Sequence, residues 1–193
     1  APGLWVSNGT EEGTQLLLTG TFGRLTKVGD LLYFVNYRQY NSSTSTSYKS
    51  LMKSDGTPEG TLVVKEFNLN TSIEALTDFN GTLYFRLNGE LWKTNGDEDS
   101  TALVKQMTGN VTKIVASEHY IFFTVNTELW KTDGTDLGTS LVSDVGEYIN
   151  TLAVIDSTVL MTTGTNEANL WASDGSGYGT KIIKSLRGYY YTD

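Results

Sequence analysis

Apolar and polar positions alternate along most of this chain in short runs. "LLYFVNY" (residues 31–37), "TLYFRL" (82–87) and "YIFFTV" (120–125) are rich in aromatic and β-branched residues, and Gly, Asn, Asp or Ser stand at most of their ends. Runs of this length and composition predict β-strands. No window of a dozen residues shows a convincing helical period. The pattern also recurs. "LWVSNGTEEGTQLLL" begins at Leu4, "LMKSDGTPEGTLVVK" at Leu51, "LWKTNGDEDSTALVK" at Leu91, "LWKTDGTDLGTSLVS" at Leu129 and "LWASDGSGYGTKIIK" at Leu170, the leucines lying 47, 40, 38 and 41 residues apart. An aromatic or aliphatic run precedes each later copy, and before that run lies another: "RLTKVG", "IEALTDF", "VTKIVAS" or "INTLAVI". Each unit therefore reads as four strands, about the length of one propeller blade.

The expected fold is all-β and repetitive. Its simplest form is a five-bladed β-propeller with one incomplete or shared blade; an open stack of β-units is the alternative. The units of this single β-repeat domain fall near 1–20 (partial), 21–67, 68–107, 108–145, 146–186 and 187–193 (partial). The first copy has only its last two strands. "RGYYYTD" at the other end reaches roughly one strand into a new unit, which suits addition of a strand from a neighbouring chain.

Within each copy an Asn or Asp precedes Gly, at Asn8, Asp55, Asn95, Asp133 and Asp174. Both residue types suit a tight two-residue hairpin turn with positive φ at each central residue. Asn cannot replace a catalytic carboxylate and keep its role, so the position reads as a turn. The second glycine (Gly13, Gly60, Gly138, Gly179) shapes the end of the loop, and Ser100 replaces it once. Trp5, Trp92, Trp130 and Trp171 share a slot that Met52 fills in the second copy. That exchange fits packing between units better than stacking on a sugar.

One segment breaks the period. Leu51 follows Tyr33 by 18 positions, against 7 for the corresponding step from Tyr84 to Leu91. The extra residues lie in "NYRQYNSSTSTSYKS", either an exposed loop or an extended hairpin. Its Tyr37, Arg38, Tyr40 and Tyr48, with the terminal Tyr189, Tyr190 and Tyr191, form the expected surface for a ligand or a neighbouring subunit. Tyr offers a broad apolar face and a hydroxyl at low entropic cost.

Composition narrows the partners. A net charge of −8 and pI of about 4.6 argue against nucleic acid. No apolar stretch reaches the ~18 residues that would suggest insertion in a membrane. The chain has no Cys, and its one His, His119, falls in an expected turn, so neither a His-based triad nor a thiolate metal site is supported. No cofactor is expected. "DGTDLGT" and "NGDEDS" could offer oxygens to calcium, but they lack the spacing of an EF-hand or a nonapeptide calcium repeat. N-glycosylation sequons occur at Asn8, Asn41, Asn70, Asn80 and Asn110. The start "APGLW" enters a strand almost at once, as a mature secreted chain would.

The phrase "ELWKTDGTDLGTSLV" (Glu128 to Val142) resembles the ELWxxDGT repeat of large secreted or surface-anchored bacterial proteins. The motif occurs five times, with the preceding Glu absent at Leu4, Leu51 and Leu170. The resemblance implies a propeller-like fold and an extracellular or cell-surface setting, and it implies no defined activity. Together these readings lead to a non-enzymatic extracellular binding or adhesion module for glycan or a surface protein. The alternative is a structural subunit of a filament or surface layer, self-associating through its incomplete terminal β-unit.

Overall fold

The computed structural model describes residues 2–41, 46–164 and 167–187. The described residues contain strands and connections and no helix. Eighteen strands make five antiparallel sheets. The first sheet has two strands, β1 (Gly3–Val6) and β2 (Gln15–Thr19). The other four have four strands each, in sequence order across the sheet. The second contains β3 (Phe22–Val28), β4 (Leu31–Asn41), β5 (Thr46–Ser54) and β6 (Leu62–Asn68). The third contains β7 (Ile73–Phe79), β8 (Thr82–Leu87), β9 (Glu90–Thr94) and β10 (Ala102–Leu103). The fourth contains β11 (Val111–Ala116), β12 (Ile121–Val125), β13 (Glu128–Thr132) and β14 (Ser140–Asp144). The fifth contains β15 (Ile149–Ile155), β16 (Thr158–Thr163), β17 (Glu167–Ser173) and β18 (Lys181–Arg187). The fold is thus a repeat of propeller-like blades, one of them two-stranded.

Two compact units share these sheets: residues 1–88 with 92–103, and residues 89–91 with 104–193. In the first, Val28, Tyr33, Val35, Leu51, Ile73, Leu83 and Phe85 form one cluster. Leu4, Phe34 and Met52 form another, which docks the two-stranded sheet on its neighbour. In the second unit, Phe122, Leu129, Val142, Ile149, Val159 and Met161 pack together.

The second strand of each four-stranded blade explains its own sequence. All five residues of β12 are buried, as are Leu83, Tyr84 and Phe85 of β8. A strand covered on both faces reads as a near-continuous apolar run, as these do. Two irregularities recur. The first strands bulge, with Arg24 at φ 59° and Ala75 at φ 53°. The last strands carry one unpaired extra residue opposite the "LW" step, at Leu17, Val64, Val142 and Ile183. Such bulges bend a strand and increase its twist.

The tight turns lie elsewhere than expected. Asn80-Gly81 joins paired Phe79 and Thr82 with positive φ at both central residues, 52° and 77°. Asn88-Gly89, between β8 and β9, has φ 51° and 88°. The repeated Asp/Asn-Gly is no two-residue turn: Asp133 and Gly134 open a seven-residue loop, 133–139, and only the glycine has positive φ.

Candidate binding surface

That loop is held by its own hydroxyls and carboxylate. The Thr135 amide and hydroxyl both donate to Asp133 Oδ1, each at 2.8 Å. Thr135 Oγ1 accepts from the Gly138 amide at 2.9 Å, and Thr139 Oγ1 donates to the Thr135 carbonyl at 2.5 Å. Thr132 Oγ1 accepts from the Gly134 amide at 2.9 Å and meets Thr139 Oγ1 at 2.7 Å. The same network surrounds Asp55 and Asp174. Asn8 reproduces it without a charge, accepting from the Thr10 amide and hydroxyl at 3.0 and 2.8 Å. An amide oxygen therefore does the work of the carboxylate, which is why both residue types occur here.

The second glycine is a matter of space. A Cβ at Gly60, Gly138 or Gly179 would overlap the Asp55, Asp133 or Asp174 carboxylate. The third copy avoids this by rewiring. Asn95 turns to the Thr82 hydroxyl at 3.0 Å, and Asp97 Oδ1 accepts from the Ser100 amide at 2.7 Å. Ser100 Oγ accepts from the Asn95 amide at 3.1 Å. Ser at position 100 is thus coupled to Asp at position 97. The Asp55 and Asp174 carboxyls lie below the usual range, chiefly because the Thr57 and Ser176 hydroxyls bond to them, then because the backbone amides of the same residues do. Asp97 is lowered chiefly by the Ser100 amide.

The aromatic slot is half packing and half surface. The leucines before it are buried: Leu4, Leu51, Leu91 and Leu129. Trp92, Trp130 and Trp171 stand on the other side of the strand and are half-buried, and Met52 is buried. Trp130 stacks on Phe123 with ring centroids 6.4 Å apart and donates to Glu128 Oε2 at 2.8 Å. Trp171 donates to Thr163 Oγ1 at 3.1 Å. Trp5 differs from the rest and is 52% exposed. Packing therefore accounts for the slot in part, and for Trp5 least.

The irregular insert becomes strand. β4 and β5 continue past their blade through the pairs Gln39↔Tyr48, Tyr40↔Ser47 and Asn41↔Thr46. Tyr37 is half-buried against the blade core, with the Lys49 ammonium 5.9 Å from its ring centroid. Gly23 faces it so closely that a Cβ there would stand 2.7 Å from the Tyr37 hydroxyl. Arg38 is exposed. Tyr40 pairs through its backbone, and its side chain lies outside the described residues, as do Tyr189, Tyr190 and Tyr191. Tyr48 is half-buried, and its hydroxyl is pushed up, first by burial and then by the charge of Glu66, to which it hydrogen-bonds.

Beside Tyr48 runs an open groove of about 530 Å³, lined by Thr46, Ser47, Tyr48, Glu66, Asn68 and Thr71 together with Phe67. Lys49 Nζ donates to the Thr71 carbonyl at 2.5 Å and braces one side. The groove thus combines the Tyr48 ring with hydroxyl, amide and carboxylate groups, while Phe67, between Glu66 and Asn68 in β6, packs on the blade core. The sequence singled out Tyr48 and did not single out its groove neighbours Glu66, Asn68 and Thr71. Their signal was the strand register, since β6 runs beside β5 with Asn68 opposite Tyr48.

Of the sequon asparagines, Asn8, Asn70, Asn80 and Asn110 are exposed, and the Asn41 side chain lies outside the described residues. His119 is exposed beside Glu118. Among the described residues no three acidic or His side chains converge as a metal site would require.

No family model and no curated protein sequence matches this chain. Solved structures do. A puromycin hydrolase matches with a TM-score of 0.63 at 10% identity, over 91% of this chain and 31% of its own. A puromycin-hydrolyzing peptidase of Mycobacterium tuberculosis matches with a TM-score of 0.61 at 13% identity, over 93% of this chain and 31% of its own. A chain of the mitotic checkpoint complex matches with a TM-score of 0.54 at 10% identity, over 96% of this chain and 74% of its own. The chain spans about a third of the length of the two hydrolases.

At these identities the likeness is one of fold. It still corrects one expectation. The repeats carry no catalytic signature, and on that ground the chain was expected not to be an enzyme. Chains that contain this fold include hydrolases, so the lack of a signature in the repeats is no reason to exclude catalysis.

Proposed function

We propose that the chain is a recognition module of a secreted or cell-surface bacterial protein of the ELWxxDGT-repeat kind, and that it binds glycan beside the β4–β5 hairpin. The groove at Tyr48 carries this reading. A pyranose has an apolar face that suits the Tyr48 ring, and a rim of hydroxyls that suits Glu66, Asn68 and Thr71. A small set of convergent polar groups beside aromatic surface is the usual makeup of a small-ligand site. The acidic balance of the chain, −8, fits a neutral or basic sugar better than a sulfated one.

A glycan array probed with the intact chain tests the reading. The expected result is binding to a limited set of neutral or amino sugars. Tyr48→Ala and Glu66→Gln should each weaken it about tenfold, the usual cost of losing one well-placed contact, with little change in melting temperature. Binding that both variants retain, or no glycan binding at all, would overturn the assignment. Shortened products released from a bound glycan would make the same groove an active site.

A further inference from the structure

The pairing of β5 with β6 sorts the charges around the groove. Tyr48 stands opposite Asn68 and Ser50 opposite Glu66, so these four side chains share one face of the sheet. Lys49 stands opposite Phe67 and Leu51 opposite Lys65, so Lys49, Lys53 and Lys65 belong to the other face. There each lysine reaches away from the groove. Lys49 Nζ donates to the Thr71 carbonyl and lies 5.9 Å from the centroid of the Tyr37 ring. Lys65 meets Glu98 at 2.8 Å, and Lys53 lies beside Gly96.

Glu66 is the one charged side chain among the residues that line the groove. It is exposed, and among the described residues no Lys or Arg forms an ion pair with it. The Tyr48 hydroxyl, a neutral donor, hydrogen-bonds to it. A carboxylate has about four acceptor sites, and that bond uses one. The same bond sets the carboxylate at the rim of the Tyr48 ring. A pyranose stacked on that ring carries its substituents at the rim, beside Glu66. A hydroxyl there would donate an ordinary hydrogen bond. An ammonium would donate a charge-assisted one and neutralise the carboxylate as well. A uronate or a sulfate would set like charge against it.

We infer that the groove selects an amino sugar with a free, protonated amine, and that Glu66 is the residue that determines this choice. The inference rests on the glycan reading of the same groove and adds to it the class of sugar and the side chain that reads it. N-acetylation removes the charge and adds bulk at the same nitrogen, so it should work against binding twice over. Glu66 is open to solvent, so its attraction for the amine should be screened by salt. Tyr48 supplies the surface on which the ring rests, and Glu66 the selectivity.

The probes are linear oligomers of glucosamine and of N-acetylglucosamine, equal in length and linkage. Each is titrated into the intact chain by calorimetry at about pH 5.5, where a Glu side chain is ionised and the sugar amine is protonated. The expected result is binding of the glucosamine oligomer about tenfold tighter than of its acetylated counterpart, the difference between a charge-assisted and a neutral hydrogen bond. Glu66→Gln should abolish that preference. Glu59→Gln, at another exposed acid, should leave it intact, and molar salt should narrow it. Tyr48→Ala should weaken both oligomers. Equal binding of the two that Tyr48→Ala still weakens would overturn this inference and leave the glycan reading standing. A preference that survives Glu66→Gln would do the same, as would binding of some other glycan but of neither oligomer. Cadaverine bound as tightly as the glucosamine oligomer would also overturn it, since charge alone would then suffice. Binding of no glycan at all would overturn both readings.

Discussion

Asp174 and Asn8 occupy one position with one set of hydrogen bonds, and they differ in charge. That difference has a pH signature. The Asp55 and Asp174 carboxyls titrate below their ordinary value in the folded chain, chiefly because hydroxyls donate to them. Between the folded value and the ordinary one of about 4, the unfolded chain binds more protons than the folded one. Their contribution to stability is therefore complete above that ordinary value and is lost as pH falls through the folded value. Thermal melts of the wild type and of the Asp55→Asn, Asp174→Asn double variant, from pH 7 to pH 2.5, should show it. The variant should melt slightly lower at pH 7 and lose less on acidification. A variant that loses as much as the wild type would show that the acid sensitivity resides elsewhere.

The third strand of a blade divides its two signature residues. In β13, Leu129 is buried in the cluster with Phe122 and Val142, while Trp130 lies half-buried over Phe123. The smaller residue is thus the deeper one. Leu129→Ala should cost about 3–5 kcal/mol, the range for a fully enclosed Leu that leaves a cavity. Trp130→Ala should cost less, about 1–3 kcal/mol, since part of its ring remains exposed and its removal opens no enclosed cavity. Urea denaturation of the two variants checks the order. The reverse order would mean that the stacked ring, not the enclosed leucine, holds the strand in place.

Charged ties connect successive blades within each compact unit. Lys65 meets Glu98 at 2.8 Å in the first, and Lys105 meets Asp136 at 2.7 Å in the second. Lys131 donates to the Gly175 carbonyl at 3.0 Å. Each ion pair joins the end of one blade to the Asp/Asn-Gly loop of the next, so the repeat is also a repeat of contacts. The acidic partners are well exposed, and the pairs lie in solvent. A double-mutant cycle on Lys105→Met and Asp136→Ala should give a coupling of no more than about 1 kcal/mol, falling further at high salt. A larger coupling that survives 1 M salt would show that the tie holds the blades together. At the loop tips the copies diverge: Glu12, Glu59 and Asp99 in the first three give way to fully exposed Leu137 and Tyr178.

Much of this architecture is written locally. β-strands follow from the alternation of apolar and polar residues, and blades from the recurrence of one phrase, because each recurrence spells one four-stranded unit. Leu129 and Phe123 could be placed in the interior from their runs alone. Three features could not. The Asp/Asn-Gly turn was misread because a dipeptide propensity is short-ranged, whereas the loop is closed by Thr132, Thr135, Gly138 and Thr139 acting together. The groove at Tyr48 depends on which strand lies beside which, a property of register that no single run contains. Trp5 and Trp130 have nearly the same neighbours in sequence, yet one is open and the other stacked. Periodicity along the chain marks which face of a strand is apolar. Whether that face is covered depends on the next strand in space, and pairing across a sheet is not local in sequence.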